Sequence, residues 1–493
     1  MDNSGWEYGV DTPQSHSSDS MVTYTAEAVM RYRADSVEDL LSKPKKILDM
    51  IVHHRTYQAP RLTVLEDYYL GNNPVILSGD RRKEKDKSDH RVRHSFAGII
   101  SDFLNTYVLS NGVRIEDLNA VTDGEGNVNQ SDFMDIIYDF NQANDIDSHN
   151  SEIGMDQNNQ GRAYELLVRT HDDRERIYML DPRQVFMIYD KTVASRVIAA
   201  VRYYPENELD QSKFITELYT YNNIYRFKPH TLNARRMILD EEATQAHLFG
   251  GVPIIEYRSD RFRMAVYEKQ LPLIDAYDSA QSDTSNYMTD FNDAILAIEG
   301  FIANADDKEW LRAMKDANLL YLIPEEGLDG SKSNVKASYL TKSYDVAGVE
   351  AYKGRLKDDI FGLSAIPNLS DESFAGNKSG EALKYKLFGL QQKRSDKEKY
   401  LAKGFRVRYK LLENMKRNVN EYTGEQVQLG FSFSPNLPTA YLDELKAFVE
   451  SGGVVSRKTM LNLLSFVDDV AEEEKRIKEE ESAMTLPDTT DSW

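Results

Sequence analysis

GRAYELLVRTHDDRERIYMLDPRQVFMIYD, residues 161–190, decides how this chain is read. After Gly161 the sequence takes on a period of two. AYELLVRT (163–170), RIYMLDP (176–182) and QVFMIYD (184–190) are short runs rich in β-branched and aromatic residues, separated by turn residues. Such runs are the mark of strands. RVIAAVRYY (196–204), FITELYTY (214–221) and IYRFKPH (224–230) continue the series. An antiparallel sheet region is therefore expected over about 162–258.

Upstream, the pattern is helical. Ser36 is placed to cap a first helix with Glu38 and Asp39 in its first turn. Ser42 and Pro44 open a second, KKILDMIVHH (45–54), in which Ile47, Met50, Ile51 and His54 share a face. Ala59-Pro60 is expected to break it. A third, RLTVLEDYYL (61–70), should stop at Gly71, before a turn at Asn72-Asn73-Pro74. The charged run 81–93 reads as a solvated loop. FAGIISDFLNTYVL (96–109) reads as a helix, and 114–160 as a polar stretch around FMDIIYDF (133–140).

Downstream, helix should resume near Asp260 and run about 30 residues, roughly 45 Å at 1.5 Å per residue, with a kink at Pro272. AILAIEGFI (294–302), NLLYLIP (318–324) and VKASYLT (335–341) read as strands of a small unit that includes a helix, DDKEWLRAMKDA (306–317). YDVAGVEAYKGRLKDDIFGLS (344–364) is helical again, and NLSDESFAGNKSG (368–380) is a polar loop. A long helix is expected from about 381 to 422, then extended chain at FSFSPNLP (431–438) and an acidic helical tail.

The chain has 493 residues, which suggests about three domain-sized units. Its apolar fraction of 41% with 10% aromatics supports sizeable cores. There is no cysteine, which excludes disulfide staples, thiolate zinc sites and a cysteine nucleophile. No stretch is long and apolar enough to span a membrane, and the first 20 residues read as a disordered polar tail without signal-peptide character. The 60 basic and 81 acidic residues leave a net charge of −21. That balance argues against coating nucleic acid by charge, because such binding rests on Lys and Arg meeting phosphates.

Catalytic motifs are absent. GNKSG (376–380) lacks the Gly-Lys-Ser/Thr run and the leading glycine of a phosphate loop. His90 and His94 are four apart, but no third metal ligand has suitable spacing, so solvated histidines are expected. Asp123, Glu125, Asn127 and Asn129 alternate as in a calcium loop, yet Val128 stands where the turn glycine belongs. No cofactor is expected. Of the 29 tyrosines, pairs such as Tyr68-Tyr69 and Tyr203-Tyr204 fit either subunit interfaces or half-buried cores.

The order of segments resembles that of the portal proteins, the head–tail connector vertex proteins of tailed double-stranded DNA bacteriophages. The group most similar is that of long-tailed phages of Gram-positive hosts. RLTVLEDYYLGNNPVIL, RVRHSFAGIISDFLNTYVLSNGV, the run 161–190 followed by AAVRYY, FGGVPIIEYRSD, LIDAYDSAQSDTSN and SGGVVSRKTMLNLLSFVDDVAEEEKRIKEEE carry the resemblance, over about 40–480.

The resemblance implies an α+β portal fold assembled as a cyclic ring of twelve: a β-rich wing, a mostly helical stem and crown, and a small α/β clip. The wing would be 21–260 with a long kinked helix over 381–431, the stem 261–293 and 344–366, the clip 294–343 and the crown 432–493. A channel loop over 367–380 would bring Ser373, Phe374, Ala375, Gly376, Asn377, Lys378 and Ser379 near DNA. Trp310, Arg312 and Lys315 would face partners or neighbouring subunits from the clip.

The implied role is a channel for genome packaging and ejection, without enzymatic activity. It would sit at one capsid vertex of the virion, after assembly in the host cytoplasm. Expected partners are double-stranded DNA, the terminase motor, a head–tail adaptor, and the capsid and scaffolding proteins. A DNA-processing enzyme of the packaging machinery and a non-viral helical scaffold are the alternatives. Under the portal reading, the acidic balance becomes a lining that repels DNA and lets it slide, with Lys378 as a rare basic contact.

Overall fold

The alternating runs are strands in the computed structural model of the chain, which describes residues 31–79, 89–122, 128–290, 295–299, 319–322, 336–340, 345–368 and 387–434, with positions 461, 473, 476 and 477. Strand β1 (Tyr32–Ala34) precedes helices α1 (Val37–Ser42), α2 (Lys45–His53), α3 (Ala59–Tyr69), α4 (Pro74–Leu77) and α5 (Phe96–Leu109). Next come β2 (Val113–Asp117), β3 (Val121–Thr122), β4 (Val128–Asn129), α6 (Phe133–Ala143) and α7 (Ile146–Gln160). The long β region holds β5 (Arg162–Arg169), β6 (Glu175–Leu180), β7 (Val185–Asp190), β8 (Val197–Asn207), β9 (Asp210–Tyr219), β10 (Asn223–His230), β11 (Leu239–Ala246) and β12 (Ile254–Arg258). After it stand α8 (Leu271–Asp290), β13 (Ile295–Glu299), β14 (Leu319–Leu322), β15 (Lys336–Leu340), α9 (Val346–Ser364), α10 (Phe388–Asn418) and β16 (Leu429–Phe433).

The β region does not form one sheet. A six-stranded sheet has the order β1-β7-β8-β9-β10-β11, and a three-stranded one the order β12-β5-β6. All these pairings are antiparallel except β1 on β7, where Tyr32 faces Ile188 in parallel. The pleat explains the stacking. Phe186, Ile188, Ala199, Val201 and Tyr203 point to a core shared with Leu40, Ile47, Leu48 and Ile51 of α1 and α2. Their neighbours Val185, Met187 and Ala200 point the other way, onto Tyr164, Leu166 and Ile254 of the smaller sheet. Alternate residues thus serve opposite cores, and the central sheet lies between helices and a second sheet. Each fully buried aliphatic side chain there contributes about 1.5–3 kcal/mol.

Several expectations change. The helix is not broken at Ala59-Pro60: α2 passes into α3 through a π-helical turn, His54–Gln58. The amide of Ala59 bonds back to the carbonyl of His54, five residues earlier. That widening relieves the clash a proline ring makes with the carbonyl four residues before it. The helix expected from Asp260 starts at Leu271, with Pro272 opening it rather than kinking it. The stretch 114–160, read as polar, contains α6 and α7.

Other expectations hold. Ser36 Oγ caps α1 on the amide of Asp39 at 3.2 Å. α3 stops at Gly71, φ +77°, with Gly71 and Asn72 amides returning to Tyr68 and Asp67 carbonyls. Asn73 does more than turn: its Oδ1 caps α4 on the Val75 amide at 3.0 Å. The three strands of the small unit pair in the order β14-β13-β15. The long helix runs Phe388–Asn418, and β16 then pairs with β2. The chain divides into two compact units, Met1–Ser434 and Pro435–Trp493. In the second unit the described positions are helical, and Arg476 pairs with Glu473 at 3.8 Å.

Candidate functional site

α8 and α9 lie against each other. Lys353 Nζ reaches Gln281 Oε1 at 2.8 Å, while Phe361 and Tyr277 share contacts with the Phe96 ring. Later residues of α9 meet earlier residues of α8, so the pair is antiparallel. What holds its root in place is a set of buried ionic and hydrogen-bonded groups, which α8 enters through residues 256–268.

Glu256 on β12 takes both Nε (2.6 Å) and Nη2 (2.8 Å) of Arg263, and the Tyr189 hydroxyl donates to it at 2.6 Å. Burial alone would raise the Glu256 carboxyl, but Arg263, then Arg162 and the Tyr189 bond, override it and leave it at about 2. Arg263 itself has φ +59°, a left-handed conformation costly for a side-chain-bearing residue. It is held against Gly161, also left-handed at φ +72°, where a Cβ would come to 2.0 Å from the Arg263 carbonyl oxygen. Five residues on, Glu268 receives a two-pronged contact from Arg61 of α3, Nε at 3.1 Å and Nη2 at 2.5 Å, with both side chains buried. Burial raises the Glu268 carboxyl despite Arg61.

A second set joins α10 to the sheet. Glu165 of β5 is enclosed by Arg408 Nε at 3.0 Å, Arg408 Nη2, His149 Nε2 at 2.9 Å and the Tyr257 hydroxyl. Burial works against the Glu165 charge, but Arg408 and His149 hold its carboxyl below the usual range. Lys397, about three turns earlier on the same face of α10, is buried without a carboxylate in its hydrogen bonds. It donates to Gly154 O at 2.9 Å and to Asn158 Oδ1 at 2.6 Å, and burial, with Lys393 nearby, lowers its pKa far below the ordinary lysine range. These contacts explain α7: its buried positions 149, 150, 153, 154, 157 and 158 keep helical spacing, but they include His, Asn, Gly and Gln. A search for apolar periodicity passes over them.

The face of α8 carrying Asp278, Ser282, Asn286 and Thr289 is occupied by an extended strap, residues 89–95. His94 Nδ1 meets Asp278 Oδ1 at 2.8 Å, the Val92 amide donates to Ser282 Oγ at 3.0 Å, the His90 amide donates to Asn286 Oδ1 at 2.7 Å, and His90 Nε2 meets Thr289 Oγ1 at 2.8 Å. Two extended residues rise ~6.6 Å and four helical residues ~6 Å, so the registers match. The intervening Arg91 and Arg93 reach the other way, to the Leu77 and Gly79 carbonyls and Asn72 Oδ1. This part of the 81–93 run is therefore docked on α8, and the two histidines pair with helix residues while staying at least partly exposed to solvent. Of the two readings open for Tyr68 and Tyr203, interface or core, the core one holds: Tyr68 donates to Asp275 at 2.7 Å, and Tyr203 to Arg183 O at 2.8 Å.

Ser373, Phe374, Ala375, Gly376, Asn377, Lys378 and Ser379, and Trp310, Arg312 and Lys315, lie outside the described residues, as do Asp123, Glu125 and Asn127. Among the described residues, no cluster of three or more potential ligands could hold a metal, and no helix is long and apolar enough to cross a membrane.

A family model, the phage portal proteins of SPP1 Gp6-like type, matches residues 48–485. The chain belongs to that portal family. Two relatives agree with the match and come from phages of Gram-positive hosts. The portal protein of Clostridium phage phiCD119 is 22% identical over 438 residues, covering 84% of this chain and 91% of its own length. That of Bacillus phage SPP1 is 20% identical over 436 residues, covering 84% of this chain and 82% of its own. A solved structure, the neck of an empty GTA particle computed with C6 symmetry, superposes at a TM-score of 0.38 with 11% identity, covering 81% of this chain and 92% of that one. In this portal chain, then, the buried ionic set ties the root of two antiparallel helices to the sheet and to α3.

Proposed function

We propose that this portal chain is one of twelve identical subunits in a ring around a DNA channel, placed at one vertex of the capsid. Genome packaging and ejection both pass through it, the terminase motor and a head–tail adaptor dock on it in turn, and it performs no catalysis of its own. The observation that carries this reading is the family match across residues 48–485.

In this assignment β1–β12 with α1–α7 and α10 form the wing. α8 and α9 form the stem, the β13–β15 unit the clip, and 432–493 the crown. The buried pairs Arg263–Glu256 and Arg61–Glu268 then have a mechanical role. They set the angle at which the stem leaves the wing, and a buried pair resists displacement because breaking it strands a charge. Residues 373–379 line the channel and Trp310, Arg312 and Lys315 serve the clip interface. The excess of acid keeps the duplex centred by denying it phosphate contacts.

Native mass with imaging tests the ring. Roughly 680 kDa is expected, twelve times the 56.5 kDa chain, with a central hole wide enough for duplex DNA. Retention of DNA on the ring at low salt tests the lining. Weak retention, further reduced in Lys378→Ala, is expected. Tight binding by the unaltered ring that is insensitive to Lys378→Ala would contradict it.

A further inference from the structure

Between the π turn and the central sheet lies a cavity of about 10 Å³, space for a single water-sized sphere, whose walls include His54, Tyr189, Glu256 and Arg263. Its lining residues His54 and Arg263 each present a polar atom without a hydrogen-bond partner, and Arg162 adds a guanidinium. His54 is 1% exposed, and its Nε2 has no hydrogen-bond partner. Arg263 is 1% exposed, and its Nη1 has none, while its Nε and Nη2 are taken by Glu256 and Tyr189.

The protons can be placed from the surrounding bonds. The Tyr203 hydroxyl donates its only proton to the Arg183 carbonyl at 2.8 Å. It also lies 2.9 Å from His54 Nδ1, so there it must accept, and Nδ1 carries the hydrogen. Burial, reinforced by the Arg162 charge and by His53, lowers the His54 imidazole to about 3, so the ring is neutral and Nε2 is left as a lone pair. The cavity lining therefore includes one unmatched acceptor, His54 Nε2, one unmatched donor, Arg263 Nη1–H, and the buried guanidinium of Arg162.

We propose that this cavity is a binding site for one structural water, which donates to His54 Nε2 and accepts from Arg263 Nη1, joining the π turn to the ionic set at the root of α8. A chloride or other small anion can only accept. It would be drawn by the Arg162 and Arg263 guanidiniums but would meet the His54 lone pair and the Glu256 carboxylate.

A structure of the full chain at about 2 Å or better, from crystals soaked in bromide, decides it. The expected result is one peak within ~3.2 Å of both His54 Nε2 and Arg263 Nη1, with no anomalous signal at the bromine edge. An empty cavity, or a bromide peak there, would overturn the proposal. His54→Phe supplies a second arm, because it keeps a ring but removes the acceptor. The peak should vanish from its structure, and a peak left unchanged would show that His54 is not its partner. If His54→Phe does not fold, the wild-type map still distinguishes water from an anion and from an empty cavity.

Discussion

Gly161 and Arg263 are both left-handed and pressed together, and the chain has no slack there. Gly161→Ala would place a Cβ at 2.0 Å from a backbone oxygen and force φ +72° on a side-chain-bearing residue. A loss of about 3 kcal/mol or more is expected in denaturant unfolding. Arg61→Ala leaves Glu268 buried without its guanidinium, at a cost of about 3–5 kcal/mol. Glu256 carries a pH signature. Its folded value of about 2 lies below the ordinary 4.5. The stability it contributes is complete above pH 4.5 and is lost as pH falls towards 2. Glu268, shifted upward, acts in the opposite sense. Glu256→Gln should therefore be less stable at neutral pH yet show a shallower fall across that window. An unchanged slope in acid titration of the unfolding midpoint would remove Glu256 from the account.

At the scale of elements, the strap over 89–95 is the feature most open to test. Ser282→Ala with Asn286→Ala removes two of its anchors to α8. At about 1 kcal/mol each, the strap should open roughly thirtyfold more often. Trypsin should cut after Arg91 or Arg93 correspondingly faster, with little change in overall melting. Elements that bury apolar residues at a clean period, α5 and the β region, were legible in the sequence, and the strands β13–β15 were read from their apolar runs. Those built on polar burial were not. α7 hides its periodicity in His149, Asn150, Gln157 and Asn158, and the strap looks like a charged loop because its backbone makes half the contacts. β1 is only three residues long, and nothing local announces that it pairs in parallel with β7. The π turn depends on Pro60 being accommodated rather than obeyed as a stop. Of the ionic set no member was legible: Arg61 and Glu268 are 207 positions apart, and in a chain with 81 acids no pairing can be chosen by spacing.

For the whole molecule, the net charge of −21 first argues against a nucleic-acid partner and then, in the proposed ring, would become a property of its bore. Twelve copies would multiply that charge twelvefold around a polyanion, which favours sliding over binding. Under that proposal the buried ionic set would complement this, since a subunit loaded by moving DNA would need its stem fixed to its wing. Everything in that picture depends on assembly, and native mass spectrometry of the chain expressed together with its capsid and scaffolding proteins tests assembly most directly. The account predicts a closed ring of roughly 680 kDa, twelve times the 56.5 kDa chain. A species that stays at the mass of one or two chains under those conditions would contradict it.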